Sequence, residues 1–207
     1  MMKKLRLPAV MFLFLALYGC QHMESYLEIA KDKDEGISHA YLDVLNHWTR
    51  KETIYSQFET RIQISATYKS DEFNRAYHEE YARIYNLTEG ERKHREEMLA
   101  GFTRDYREIL FYAAMPNKGA NDFDKANSSW AVFMSDDQGK QVKPLEIRKL
   151  EKITPVMEAF FPYINKYHGI CYTLKFPLAD ATTVNSTSKP LKLVIMGVLG
   201  KAELSWP

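Results

Sequence analysis

Glu80 is the first residue that could do chemistry, because its helix places it among apolar neighbours. At 100° per residue it falls between Phe73 and Ala76, inside a stripe that also carries Tyr77 and Tyr81. Two readings stay open. One is a carboxylic acid with a raised pKa in a tyrosine-lined pocket, which makes Glu80, Tyr77 and Tyr81 ligand-pocket candidates. The other is a structural carboxylate paired with an arginine or a tyrosine hydroxyl. Cys171 follows His168 by three residues. A nucleophilic cysteine needs a base and an electropositive setting. A strand does not aim these two side chains at each other, so a packed free thiol is expected.

Three further patterns fail on their spacing. Asp122 and Asp124, with Asn117, Asn121 and Asn127, could offer oxygens to calcium. An EF-hand loop starting at Asp122 would need an oxygen ligand at Ala126 and a glycine at Asn127. A solvated loop whose Asn and Asp stabilise turns is the expectation. His78-Glu79-Glu80 has Ala82 where a zinc-binding His-Glu-x-x-His needs its second histidine. His39 falls on the polar side of its helix and His47 on its flank. Gly197-Val198-Leu199-Gly200-Lys201 lacks two phosphate-loop residues, having Ile195 and Ala202 at those positions. It reads as a hairpin turn. No catalytic residue, metal site or cofactor site is therefore expected.

The elements that would position these residues follow from periodicity. Ile37, Ala40, Tyr41, Val44, Leu45 and Trp48 recur at helical spacing. Phe58, Thr60, Ile62, Ile64, Ala66 and Tyr68 then alternate with polar residues, predicting a strand with one wet face. Ser70 can cap a helix to about Asn86, and Thr88-Glu89-Gly90-Glu91 forms a capping box for the next. Together they predict an αα-hairpin over about 71–105. It is expected to dock through Phe73, Tyr77, Tyr81, Ile84, Met98 and Phe102, with Glu91/Arg95, Arg92/Glu96 and Lys93/Glu97 on the wet side. Further strands are expected at 107–115, 130–134, 141–150, 169–176, 191–196 and 201–206, with a bulge or edge at Pro144. Thr154-Pro155 starts a short helix. Residues 116–129 and 179–190 read as loops.

Seven strands predict a mainly β fold with helices: an immunoglobulin-like β-sandwich with an N-terminal helix and an αα-hairpin insertion after the first strand. The alternative is an α+β fold with one curved antiparallel sheet.

The N-terminus carries an address. Lys3, Lys4 and Arg6 precede an apolar run of 12 residues, Leu7 to Tyr18, and then Gly19 and Cys20. This is the grammar of a secretory signal, and the run is short of the roughly 20 residues that span a bilayer. Leu17-Tyr18-Gly19-Cys20 resembles the lipobox of bacterial lipoproteins, with Tyr18 where a smaller residue is usual. The resemblance covers about the first twenty residues. It implies diacylglycerol on the Cys20 thiol, cleavage before Cys20 and a fatty acid on the new amino terminus. Phe160-Phe161-Pro162-Tyr163, and the Leu-Val-Ile-Met strand leading to Leu204-Ser205-Trp206, resemble uncharacterised bacterial lipoproteins; no activity is implied.

The expected organisation is a signal peptide over 1–19, a charged tether over 20–36 and a single globular β-rich domain over 37–207. The sixteen residues after Cys20, Gln21 to Gly36, reach about 50 Å when fully extended. Gln21 follows Cys20. In the sorting pattern this chain resembles, Asp there favours the inner membrane, so an outer-membrane anchor facing the periplasm is expected.

Residues 1–19 hold three of the 28 basic side chains and none of the 27 acidic ones. The remaining chain is near neutral, which removes the global electrostatic reason to bind nucleic acid. With Cys20 lipidated, Cys171 has no disulfide partner. The expected function is a non-catalytic, membrane-anchored envelope module that binds or scaffolds a protein partner. The alternative is a periplasmic domain that binds a small ligand or glycan, with or without hydrolysis.

Overall fold

The computed structural model describes residues 36–56, 58–102, 106–135, 140–178 and 191–207, with residues 99–102 by backbone only. The segment 1–19, Cys20 and the tether to residue 35 lie outside the described residues.

Ser38 caps the first helix, α1 (His39–Trp48), with its hydroxyl accepting from the Tyr41 amide. Strands β1 (Thr49–Ser56) and β2 (Glu59–Tyr68) follow as a hairpin. Ser70 caps α2 (Asp71–Ile84), whose first-turn acids Asp71 and Glu72 suit the positive end of the helix dipole. The expected capping box opens α3 (Glu89–Phe102): the Glu91 carboxylate accepts from both the amide and the hydroxyl of Thr88. Then come β3 (Tyr106–Ala114), β4 (Trp130–Ser135), β5 (Gln141–Val142), β6 (Glu146–Lys149), the short helix α4 (Pro155–Phe160), β7 (Gly169–Pro177), β8 (Leu191–Gly197) and β9 (Gly200–Trp206).

The strands form two antiparallel sheets, ordered β1-β2-β3-β7-β6 and β5-β4-β8-β9. The protein is therefore mainly β with a few helices, built on two sheets and not on one curved sheet. Ile62, Ile64, Ala66, Phe111, Tyr172, Leu174 and Phe176 from the first sheet share a core with Val132, Met134, Leu193, Ile195 and Leu204 from the second. A second core lies on the other face of the first sheet. There Leu110, Tyr112 and Cys171 pack under Tyr41, Leu45, Phe73, Phe160 and Phe161 of the helical layer. The central strand β3 is thus buried on both faces, which explains its unbroken apolar run. Residues 37–207 form a compact unit by themselves.

Several expectations are corrected. Nine strands are present among the described residues, not seven, and the αα-hairpin follows the second strand. β1 was unforeseen because Ile54 is its one buried side chain. β2 does not have a fully wet second face. Thr67 is buried there under the helical layer, its hydroxyl bonded to those of Thr49 and Tyr163 at 2.7 Å each. The expected strand 141–150 breaks at Pro144, which has no N–H to donate. Gln141–Val142 pairs with β4, whereas Glu146–Lys149 crosses to pair with β7 in the other sheet.

The hairpin docks less completely than its stripe suggested. Phe73 is buried and Tyr77 and Tyr81 are half-buried, but Ile84 and Met98 are exposed. The Phe102 side chain lies outside the described residues. Of the three expected surface pairs, Glu91/Arg95 is replaced: Glu91 closes the capping box and the Arg95 guanidinium lies 3.8 Å over the Tyr81 ring.

Candidate functional site

The α2 register brings Glu80 inward, and α1 enters beside it. Glu80 Oε1 accepts from the Ser38 amide at 2.6 Å and Arg83 Nη2 at 2.7 Å. Oε2 accepts from the Ser38 hydroxyl at 2.8 Å and Arg83 Nε at 3.0 Å. The Arg83 guanidinium, together with the two Ser38 donors, pulls the carboxyl down to about 2 although burial opposes it. The shift is the reverse of the raised pKa that a pocket acid would need. Glu80 clasps the start of α1 to the last turns of α2, and its four hydrogen bonds leave it little room to take a ligand.

Tyr77 and Tyr81 are placed beside Glu80 as packing rings. Tyr77 stacks on Phe161 and meets Phe160 at 4.8 Å between centroids. Burial raises its phenol pKa. Tyr81 lies between Tyr85, at 4.3 Å, and the Arg95 guanidinium. Nearby, Tyr41 donates to the Phe160 carbonyl at 3.0 Å, which ties α1 to α4.

The other chemical candidates are also used structurally. Cys171 is buried in the helical-layer core, and burial pushes its thiol up to about 12, far from thiolate reactivity at neutral pH. The loop 116–129 is less solvated than expected: Asn121, Asp122 and Phe123 are buried. The Asp122 carboxylate accepts from the Ser128 hydroxyl and the Ser129 amide. The Asn121 amide donates to the Ala113 carbonyl and its oxygens accept from Tyr172. Phe123 lies between Phe111 and Trp130. Among the described residues no three His, Cys, Asp or Glu side chains gather to hold a metal ion. Gly197 pairs with Gly200 across a two-residue turn, as the hairpin reading required.

Sequence reasoning missed the end of the sandwich where this turn lies. A cleft of about 410 Å³ opens there, lined by Glu59, Thr60, Arg61, Met115, Pro116, Asn117, Ala120 and Leu199. The turn sits against β1: a Cβ on Gly200, whose φ is +137°, would come within 2.4 Å of Ile54 Cγ2. Three apolar side chains project at this end. Phe58 is fully exposed, Val198 is 91% exposed and Tyr55 is 66% exposed. Phe58 was expected inside a strand, but pairing begins at Ser56 with Glu59 and leaves it in the turn.

The second exposed feature is α3. From Glu89 to Met98 every side chain but Arg95 is exposed, and Met98 is 55% exposed. Among the described residues no helix is long and apolar enough to cross a membrane. Compared with protein-family models, with curated proteins and with solved structures, the chain matches none.

Proposed function

We propose that this chain is an exported lipoprotein, held by a lipid on Cys20 at the periplasmic face of an outer membrane, whose domain is a non-catalytic binding module. The domain is read as a sandwich in the broad immunoglobulin-like sense of two antiparallel sheets packed face to face, with strand orders of its own. The partner is another protein of the envelope, and the αα-hairpin presents the docking face. The observation that carries this reading is the exposure of α3. A helix that buries so few of its described side chains adds little to the core, and two helices of this length are marginal without packing. It is held out by the α2–α3 turn and by Arg95 on Tyr81, with Met98 exposed on it. The structural use of Glu80, Asp122 and Cys171 supports binding over catalysis.

Two measurements test the proposal. Metabolic labelling with a fatty-acid analogue should mark the wild type and not Cys20→Ser; equal labelling of both refutes the anchor. A photoreactive residue at Met98 should give a discrete protein adduct in intact cells that the same residue at Glu52, exposed on β1, does not. Equal adduct patterns from the two positions refute the docking face.

A further inference from the structure

We propose that the two hairpin tips at the cleft end of the sandwich, carrying Tyr55, Phe58 and Val198, dip into the lipid bilayer to which the chain is tethered. The proposal rests on the lipoprotein reading for one thing only, the nearness of a bilayer. A lipid on Cys20 followed by sixteen residues confines the domain to within about 50 Å of the membrane surface. Confinement of this kind turns a weak contact into an intramolecular one at high effective concentration.

The shape of the tips favours a fluid partner. Phe58 and Val198 stand out as knobs at 104% and 91% exposure. A knob needs a matching pocket in a protein, but only the fluid acyl boundary in a bilayer. Two hairpins present the knobs. The ladder between Gly197 and Gly200 fixes one tip, and the pairing of Ser56 with Glu59 fixes the other. The tips are neighbours, because Leu199 and Glu59 to Arg61 line the same cleft and Gly200 abuts Ile54. Both knobs can therefore approach one surface together.

The charges beside the tips are paired and need not leave the headgroup level when only the knobs enter. Glu59 pairs with Arg61 at 3.4 Å, and Lys201 pairs with Glu203. The remaining exposed ring, Tyr55, has the amphipathic character of residues that settle at the headgroup level.

The test uses the chain from Cys20 onward, coupled through the Cys20 thiol to a maleimide-headgroup lipid in phosphatidylcholine vesicles. Cys171 is buried and leaves Cys20 as the reactive thiol. A benzophenone side chain replaces Phe58, Val198 or, as a control exposed elsewhere, Met98. Positions 58 and 198 should form acyl-chain adducts at about ten times the yield of position 98. Val198→Asp should cut the yield at position 58 about tenfold, the factor that corresponds to about 1.4 kcal/mol. All these positions are exposed, so the substitutions leave the cores intact, and thermal unfolding verifies this. Equal yields at 58, 198 and 98, or no effect of Val198→Asp, overturn the proposal. So does a discrete protein adduct from position 58 in cells alongside control-level lipid adducts, which would make the tips a protein-docking surface. The coupling is chemical, so the result is independent of whether cells lipidate Cys20, and the labelling experiment decides that question separately.

Discussion

Replacing Glu80 tests whether this buried acid is a clasp or a reactive group. Its carboxylate is 5% exposed and accepts four hydrogen bonds from Ser38 and Arg83. Folding lowers its pKa from 4.5 to about 2, with Arg83 the largest cause. At about 1.4 kcal/mol per unit, the fold favours the ionised form by about 3 kcal/mol. Arg83 is half exposed and partly screened, so about 2–3 kcal/mol is the working figure. Because the folded-state pKa is the depressed one, this contribution is complete above the unfolded value near 4.5. It is lost as pH falls through the folded value near 2. Glu80→Gln keeps the shape and removes the charge. In residues 36–207 it should lower Tm at pH 7 by roughly 5–10 °C, taking about 2–4 °C per kcal/mol for a domain of this size. The gap to wild type should narrow between pH 4.5 and pH 2. Thermal unfolding by circular dichroism across that range is the assay. A gap unchanged by pH, or a variant as stable as wild type at pH 7, would refute the clasp.

The Cys171 thiol, buried and pushed up to about 12, should react with a thiol reagent at pH 8 at least about a hundredfold more slowly in the native domain than in denaturant. Comparable rates would place it at an accessible site. The Cys20 label, the Met98 adduct and the acyl-chain adducts at Phe58 and Val198 are the remaining expected outcomes. They address the anchor, the docking face and the tips in turn.

Much of the fold was legible because its signals are local. Ser70, Thr88 and Thr154 each open a helix, and their hydroxyls cap the amides of Phe73, Glu91 and Met157. Pro144 marked an irregularity, though as a bulge or edge within one strand and not as the point where the chain changes sheets. What local signals could not carry was pairing. β1 holds charged and polar residues because it lies at an edge, and its identity as a strand comes from its ladder with β2. On its other side, the Arg50 guanidinium donates to the Ser205 carbonyl of β9, 155 residues away. The site was legible to the same depth. Periodicity put Glu80 in the stripe and left an arginine partner open, and Arg83 lies one turn along the same helix. Ser38, 42 residues earlier, was not. Alternation misplaced Phe58 because a strand pattern runs smoothly into a turn until the partner strand is known.

These misplacements have a common direction. The residues first credited with chemistry were polar groups in apolar surroundings, and such groups must be hydrogen-bonded if the fold is to be stable. Glu80, Asn121, Asp122 and Thr67 all meet that demand with named partners. They specify how α1, the 116–129 loop and the β1–β2 pair are seated. A second class of residue makes few contacts of its own: large apolar side chains left in water. Met98 on α3, and Phe58 and Val198 on the hairpin tips, belong to it. A surface helix and two hairpin turns could fold as well with polar residues there. The proposed docking face and the proposed membrane contact therefore both rest on exposed apolar groups, and the buried acid contributes to neither.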